Sequence, residues 1–243
     1  MNASTLTPLP VRDRPAQPTR RVVDAPTRMF HWLFALCFAG AYLTADGERL
    51  RLVHVALGYS LAGLLVFRLL YGLFGPPQAR LSTLWSRCSS AVRWLWSLAN
   101  AVASRLQGQA QPVNWRQGQN ILMATVILAL LATVLPLTLS GYASDNDWGG
   151  LAELHEAAGE FMLLLVALHL ALIAGLSLLR GRNLAMPMLS GRQPGSGPDL
   201  PRHNRGWLAA LLLVAVLSYW GWEWQQAPAG SVAALSRGSD HDD

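Results

Sequence analysis

The 243-residue chain has no lysine, only two cysteines and few charged residues of any kind. The two cysteines, Cys37 and Cys88, are not enough for a disulfide framework, and their spacing excludes a CxxC metal motif. Only 14% of the residues are charged and 52% are hydrophobic, which is too apolar for an ordinary soluble domain. The composition therefore predicts an integral membrane protein.

Five apolar segments stand out, at residues 29–44, 53–74, 121–142, 151–179 and 207–222. In lipid, continuous runs of this length satisfy their backbone only as helices, so we predict an all-α integral membrane protein. Pro136 is expected to kink the third helix without ending it. Tryptophans at both ends of the short fifth segment serve as interfacial anchors, so we predict a fifth transmembrane helix at 207–223.

The 19 positive charges are all arginine and give a net charge of +5. A basic chain can bind nucleic acid, but these arginines lie in particular loops between apolar segments, which is a topology signal, so we expect no nucleic-acid partner. Arginine predominates before segment one and between segments two and three and segments four and five, whereas the loop between three and four is acidic. This bias predicts a multi-pass protein with five crossings, a cytoplasmic N-terminus and a periplasmic C-terminus.

The remaining stretches are polar or amphipathic. Residues 1–21 are rich in proline and lack the apolar core of a signal peptide, so we expect a disordered cytoplasmic tail. Apolar residues at helical spacing in 84–106 predict an amphipathic helix on the inner membrane surface, with a helix packed on a soluble partner as the alternative. Residues 192–206 are expected to form a flexible cytoplasmic linker and 224–243 an outer tail.

The fourth segment carries two histidines, His155 and His169, and no charged residue after Glu160. The histidines are 14 residues apart. At about 100° and 1.5 Å per residue they leave the same helix face, separated by about 21 Å along the axis. Because an ionisable side chain at membrane depth is costly, each is a functional-site hypothesis by default. One histidine near each leaflet predicts two stacked metal or haem sites.

Two further histidines complete the pattern. His31 begins the first segment and His54 the second, and since these segments run antiparallel, the two lie at opposite faces. Because they lie at similar membrane depths, we expect His31 to pair with His169 near the inner face and His54 with His155 near the outer face. Each pair can ligate one b-type haem from both sides, which leaves no open position on the iron and suits electron transfer. The chain has no CxxCH motif, so such haem must be held non-covalently.

Other readings of these residues stay open. Each histidine could be a buried side chain bonded to a serine or threonine, and a di-metal site is a weaker rival because no carboxylate joins the pairs at depth. Gly58 and Gly159 follow histidines by four residues and leave room for a flat macrocycle, or they serve ordinary helix packing. Arg68 either reaches a lipid phosphate or binds a haem propionate.

Three motifs resemble the bacterial cytochrome b561 and nickel–iron hydrogenase cytochrome b superfamily. They are VVDAPTRMFHW at 22–32, HVALGYSLAGLLVFRLLYGLFGP at 54–76 and LHEAAGEFMLLLVALH at 154–169. The resemblance implies two haem b groups in a four-helix core over 22–191, ligated by His31, His54, His155 and His169. It further implies exchange of electrons with quinone and a redox partner protein.

The chain departs from the superfamily in two places. Many relatives have a histidine beside the glycine that opens the third helix, where this chain has Gln119 after Gly118. The fifth helix and the acidic tail lie outside the four-helix core, and we expect them to be an addition that docks a partner.

The sequence thus predicts a four-helix haem-binding bundle with a fifth C-terminal transmembrane helix in the bacterial inner membrane. The favoured function is a di-haem cytochrome b that moves electrons between the quinone pool and a periplasmic redox protein, such as a c-type cytochrome or a dehydrogenase subunit. The alternatives are the cytochrome b anchor of a hydrogenase-like or other periplasmic dehydrogenase, a superoxide or quinone oxidoreductase, and a haem-free transporter or structural membrane protein. Whether the chain is an enzyme in its own right stays open.

Overall fold

The computed structural model describes residues 18–109, 112–146 and 148–227. Within these residues the chain forms eight α-helices and a sheet of two short strands. The helices are α1 (Ala25–Leu43), α2 (Arg51–Phe74), α3 (Leu81–Ser89), α4 (Ala91–Leu106), α5 (Trp115–Asp145), α6 (Ala152–Arg180), α7 (Met186–Ser190) and α8 (Gly206–Gln226). The strands are β1 (Thr19–Arg21) and β2 (Arg192–Pro194), which pair antiparallel.

Each of the five apolar segments is a helix, namely α1, α2, α5, α6 and α8. Four of these, α2, α5, α6 and α8, are long and apolar enough to cross a membrane. Helix α1 is not among the four; its 19 residues include Pro26, Thr27 and Arg28 in the first turn and His31 soon after. Helix α5 continues through Pro136, as the sequence predicts. The all-α membrane class is therefore supported.

A single hydrophobic core joins these five helices. Its buried side chains come from every one of them: Phe30, Leu33, Cys37, Phe38, Leu61, Leu64, Leu65, Val134, Leu137, Ala158, Met162, Leu212 and Val216. The last two belong to α8, so the fifth helix packs into the same hydrophobic core as the other four. The indole N–H of Trp220 gives the physical reason: it donates to the Ser60 hydroxyl at 2.8 Å, and such a group in an apolar setting needs a partner.

The two ends of the bundle differ in charge. At one end, here called the arginine-rich end, α2 and α6 finish and α5 and α8 begin, and the Arg180 guanidinium donates to Gln119 Oε1 at 2.8 Å. At the other end, the acidic end, α2 begins and α5 finishes, and Arg51 pairs with Asp145 at 2.9 Å. Long helices that follow one another in the chain thus run antiparallel, and the two ends show the charge asymmetry that the sequence predicts.

The amphipathic stretch after α2 is helical but is not one helix. It divides into α3 and α4 at Ser90, whose hydroxyl donates to the carbonyl oxygen of Arg87 at 2.6 Å. A serine hydroxyl that bonds to a backbone carbonyl in the preceding turn competes with the helical hydrogen bonds. The spacing of apolar residues does not reveal this competition. Large apolar side chains remain exposed on both helices, among them Trp85, Val92, Leu95 and Trp96.

The N-terminal segment and the connection before α8 bind each other at the arginine-rich end. Beside the β1–β2 pairing, the Arg21 amide donates to Asp199 Oδ1 at 2.6 Å and the Ala25 amide to the Asn204 carbonyl at 3.1 Å. The disordered tail expected for 1–21 is therefore wrong for residues 19–21, while residues 1–17 and 228–243 lie outside the described residues. The flexible linker expected at 192–206 is also wrong, because backbone hydrogen bonds fix it to this segment.

Candidate functional site

Two of the four predicted histidines meet near the acidic end. His54 lies in the first turn of α2 and His155 in the first turn of α6. Their ring centres are 5.9 Å apart and the rings are nearly perpendicular, at 85°. A metal ion bound by one nitrogen of each facing ring, at about 2 Å from each, separates the ring centres by about 6 Å. The observed spacing therefore fits an ion between the two rings.

Backbone carbonyls fix the orientation of both rings. The Nδ1–H of His54 donates to the carbonyl oxygen of Ala41 at 2.8 Å, and that of His155 donates to the carbonyl oxygen of Leu137 at 3.0 Å. A carbonyl oxygen only accepts, so Nδ1 carries the proton and Nε2 keeps its lone pair. Metal-ligating histidines are held in this way, with the second ring nitrogen bonded to a carbonyl or carboxylate.

Glycines leave space around this pair. A Cβ at Gly141 of α5 would lie 2.9 Å from Cε1 of His155, so the ring occupies room that any other residue would take. At Gly58 a Cβ would meet nothing within 4 Å, and at Gly159 only Leu137 Cδ1 at 3.9 Å. Beside both histidines there is thus open space on the helix face four residues on, which is where a flat macrocycle would lie.

The other two histidines lie near each other toward the arginine-rich end. His31 of α1 and His169 of α6 are close enough to interact electrostatically. Unlike the first pair, each has a buried Nδ1 with no hydrogen-bond partner among the residues that the structure describes. Buried polar nitrogens nearly always have a partner. Two orphaned nitrogens at one place fit a site where a bound group supplies the missing interaction.

Pairs of histidines suit haem better than a bare ion. The described residues contain no group of three or more His, Cys, Asp or Glu side chains able to hold a metal ion. A porphyrin supplies four nitrogens itself and needs only axial ligands from the protein. The residues present therefore fit two bis-histidine haems, with His54 and His155 as one pair and His31 and His169 as the other.

Arg68 lies inside the protein, only 8% exposed. It donates to the carbonyl oxygen of Ala79 at 2.9 Å, and its charge is near Asp24 and Tyr71. The alternative in which it reaches a lipid phosphate is therefore wrong, because the guanidinium is turned into the helix bundle. It stands 14 residues after His54 on α2, the same spacing that separates His155 from His169 on α6, and so lies at the level of His31 and His169.

A buried polar cluster around Arg68 was missed at the sequence level. Asp24 caps α1 by accepting from the Thr27 amide at 3.3 Å and is 1% exposed. It also accepts a hydrogen bond from the Tyr71 hydroxyl, which in turn accepts from Arg205 at 3.3 Å. The available signal was an aspartate directly before Ala25 and Pro26, a typical helix start. Nothing local indicates that α2 and α8 supply its partners.

Comparison with known proteins gives one match. No curated protein and no solved structure matches the chain. The family model described as prokaryotic cytochrome b561 matches residues 22–191, which includes all four histidines and ends before α8. That span is more than half of the 243 residues. The chain therefore belongs to the prokaryotic cytochrome b561 family, whose members are membrane proteins that bind haem b and transfer electrons.

Proposed function

We propose that this protein is a di-haem cytochrome b that carries electrons across the bacterial inner membrane, between quinone and a periplasmic redox protein. The observation that carries the proposal is the pair His54 and His155, with ring centres 5.9 Å apart and each Nδ1–H bonded to a carbonyl. Such a pair leaves both Nε2 lone pairs free to bind one iron. The pair His31 and His169 supports a second haem.

Bis-histidine haem b accepts and passes on one electron at a time without binding oxygen. The chain's own residues provide orientation and electrostatics. The carbonyl groups of Ala41 and Leu137 hold two of the rings and fix which ring nitrogen is free to bind iron. Near the other pair, Arg68 places a buried positive charge that suits a propionate, although Asp24 competes for the same guanidinium.

The two pairs lie at different depths along the bundle. His155 and His169 are both on α6, separated by 14 residues, or about 21 Å of helix. This distance covers most of a hydrocarbon core of about 30 Å. Two sites placed in this way divide the crossing into short steps, which supports transfer from one membrane face to the other rather than along one face.

The arginine-rich end faces the cytoplasm in this proposal, as the distribution of arginines in the loops favours. The N-terminus and the strands β1 and β2 are then cytoplasmic, and the end that holds Arg51 and Asp145 is periplasmic. Membership of the family suggests a redox partner such as quinone, and a periplasmic redox protein is the second partner in this proposal. A dehydrogenase anchor would differ only in taking electrons from a fixed partner subunit.

Haem content tests the proposal directly. Purified protein should contain two haem b per chain in a pyridine haemochrome assay, and all of it should be extractable by acid acetone. His31→Ala and His169→Ala should each leave one haem with the same spectrum. His54→Ala and His155→Ala should each leave the other haem. The exposed His203→Ala is the matched control and should keep both.

Two results would contradict the assignment of the four histidines to two haems. If His31→Ala and His54→Ala removed the same spectral component, the depth assignment would be wrong. If the wild-type protein carried one haem or none, the di-haem function would fall. Reduction by a short-chain quinol, followed at the haem α band, then separates a quinol-linked carrier from an anchor that requires its dehydrogenase.

A further inference from the structure

A cavity opens at the arginine-rich end between the last turn of α3, Ser90 and the start of α5. Its volume is about 460 Å³, and its lining consists of Arg87, Ser90, Asn114, Arg116, Gln117, Asn120 and Ile121. No histidine pair adjoins it. The lining contains two cations and no acid, with hydroxyl and amide groups between them. This chemistry suits an oxyanion rather than a metal ion or an apolar molecule.

Neither cation in the cavity is neutralised by the protein. Arg87 and Arg116 have no side-chain hydrogen bond or ion pair to any residue that the structure describes. The reason is visible in the sequence, since no aspartate or glutamate occurs between residues 49 and 144. Both guanidinium groups are exposed and remain available to an anion from outside the protein.

The cavity lies at the level of lipid headgroups. Helix α5 has 31 residues and extends over about 46 Å, well beyond a hydrocarbon core of about 30 Å. Its first six residues, 115–120, read WRQGQN, and uninterrupted apolar sequence begins at Ile121. Ile121, 7% exposed, is part of the cavity lining. The polar lining thus stands just outside the hydrocarbon, with its apolar part at the hydrocarbon boundary.

The walls of the cavity are held together by Trp94. Its indole N–H donates to the carbonyl oxygen of Asn114 at 3.0 Å, and a Cβ at Gly118 would lie 2.4 Å from Trp94 Cζ2. This contact fixes α4 against the start of α5. Next to it, Trp85 and Trp96 are exposed by 71% and 66%, as tryptophans at a membrane interface are.

We propose that this cavity binds the phosphate headgroup of an anionic phospholipid, such as phosphatidylglycerol, from the leaflet at the arginine-rich end. Arg87 and Arg116 contact the phosphate, the amides of Asn114, Gln117 and Asn120 contact the polar part of the headgroup, and the acyl chains follow the apolar surface below Ile121. Basic pockets beside transmembrane helices at this membrane face are typical sites for anionic lipids. The lipid would fix α3 and α4 on the surface of the membrane.

The full chain, purified and reconstituted in nanodiscs, provides the test. Native mass spectrometry should detect one retained phosphatidylglycerol per wild-type chain in discs that contain phosphatidylglycerol and phosphatidylcholine, with no preference for phosphatidylcholine. The variant Arg87→Ala/Arg116→Ala should lose retention by about tenfold or more, as expected when charge-assisted hydrogen bonds are removed. Arg93→Ala/Arg105→Ala on α4 removes the same charge outside the cavity and should retain the lipid.

Several outcomes would overturn the proposal. Equal loss in the Arg93/Arg105 control would show non-specific attraction to the surface, and equal retention of phosphatidylcholine would show that headgroup charge is irrelevant. Displacement of the lipid by millimolar inorganic phosphate would assign the cavity to a free anion. If the double variant does not fold, Arg87→Gln and Arg116→Gln are measured singly, and unchanged retention in both would contradict the site.

Discussion

At the scale of single residues, the two histidine pairs differ in what holds their rings. His54 and His155 are each tied to a carbonyl through Nδ1, whereas His31 and His169 leave Nδ1 unpartnered within the described residues. A histidine ring that a second hydrogen bond orients binds a metal more tightly than a ring held by packing alone. The acidic-end site is therefore the better organised of the two before any haem is bound.

Gly141 gives a residue-scale prediction. In Gly141→Ala the new Cβ would lie 2.9 Å from Cε1 and 3.1 Å from Nδ1 of His155, so the ring must move away from the Leu137 carbonyl. We expect haem content to fall from two toward one per chain, with the spectrum of the His31–His169 site retained. The pyridine haemochrome assay and low-temperature α-band spectra measure this.

Gly221→Ala on α8, where a Cβ meets nothing within 4 Å, is the matched control and should leave both haems in place. Two haems in Gly141→Ala would mean that α5 yields without disturbing the ligand.

The histidines themselves could be placed from the sequence, because a spacing of 14 residues fixes a shared helix face and the order of the segments fixes depth. Gly141 could not be found in this way. Its role depends on which residue of α6 it faces across the helix interface, and no regularity within α5 encodes that. Arg68 shows the same limit: the sequence places it at the level of His169, but Asp24 beside it comes from a distant turn.

At the scale of elements, α8 is an integral part of the bundle, although the family match ends at residue 191. Its side chains Leu212 and Val216 enter the shared core, and Trp220 bonds to Ser60 of α2. At its start, Arg205 bonds to Tyr71 and has a positive φ of 49°, a conformation that is costly for any residue with a side chain. The helix is thus held at both ends.

Trp220→Phe should lower the stability of the protein without removing a haem ligand. The substitution deletes the N–H that donates to Ser60 and keeps most of the aromatic surface, so we expect a loss of about 1 kcal/mol in the free energy of unfolding. Thermal unfolding in detergent, followed by circular dichroism, measures the change. In Ser60→Ala the same substitution should have a much smaller effect, since the partner is already absent. Equal effects in both backgrounds would show that the hydrogen bond contributes nothing.

Gly118 gives a second prediction at this scale. Any side chain at 118 would collide with the Trp94 indole, so Gly118→Ala should release α4 from the start of α5. We expect limited trypsin digestion to cut after Arg93 or Arg105 several times faster than in the wild type. Gly108→Ala is unsuitable as a control because Gly108 has a positive φ, so Gly175→Ala, with open space around it, is used instead. An unchanged digestion rate would show that α4 is held elsewhere.

The positions of the long helices could be read from the sequence because apolar runs in lipid have only one regular structure available. Which of these helices pack side by side could not be read from the sequence. The division at Ser90 depends on one side-chain hydrogen bond to Arg87, and the packing of α8 on α1 depends on the shapes of two apolar surfaces. That residues 19–21 form a strand likewise depends on a partner strand more than 170 residues away in the chain.

At the scale of the whole molecule, the path of α1 decides the topology. Its composition does not place it among the four helices that are long and apolar enough to cross a membrane, but its contacts reach both ends of the bundle. His31, near its start, meets His169 close to the arginine-rich end, while Ala41, near its finish, accepts from His54 beside His155. Because His155 and His169 stand about 21 Å apart along α6, α1 has to run between the same two levels. Packing against α2 and α8, rather than its own hydropathy, keeps it there.

Reporter fusions at four loop positions test this path. Fusions after Gly47 and Gly150 should be active only in the periplasm, and fusions after Gly108 and Gly195 only in the cytoplasm, which together with a periplasmic fusion after Asp243 corresponds to five crossings. Alkaline phosphatase and green fluorescent protein serve as the paired reporters, so each site gives one positive and one negative result.

If Gly47 and Gly108 were on the same side, α2 would not cross, and the depth difference between His54 and Arg68 would be lost. If instead Gly47 and Gly195 shared a side, α1 would fail to cross, because the strand before α1 pairs with β2 beside Gly195. His31 and His54 would then lie at one face, and the assignment of two haem sites to two leaflets would have to be abandoned.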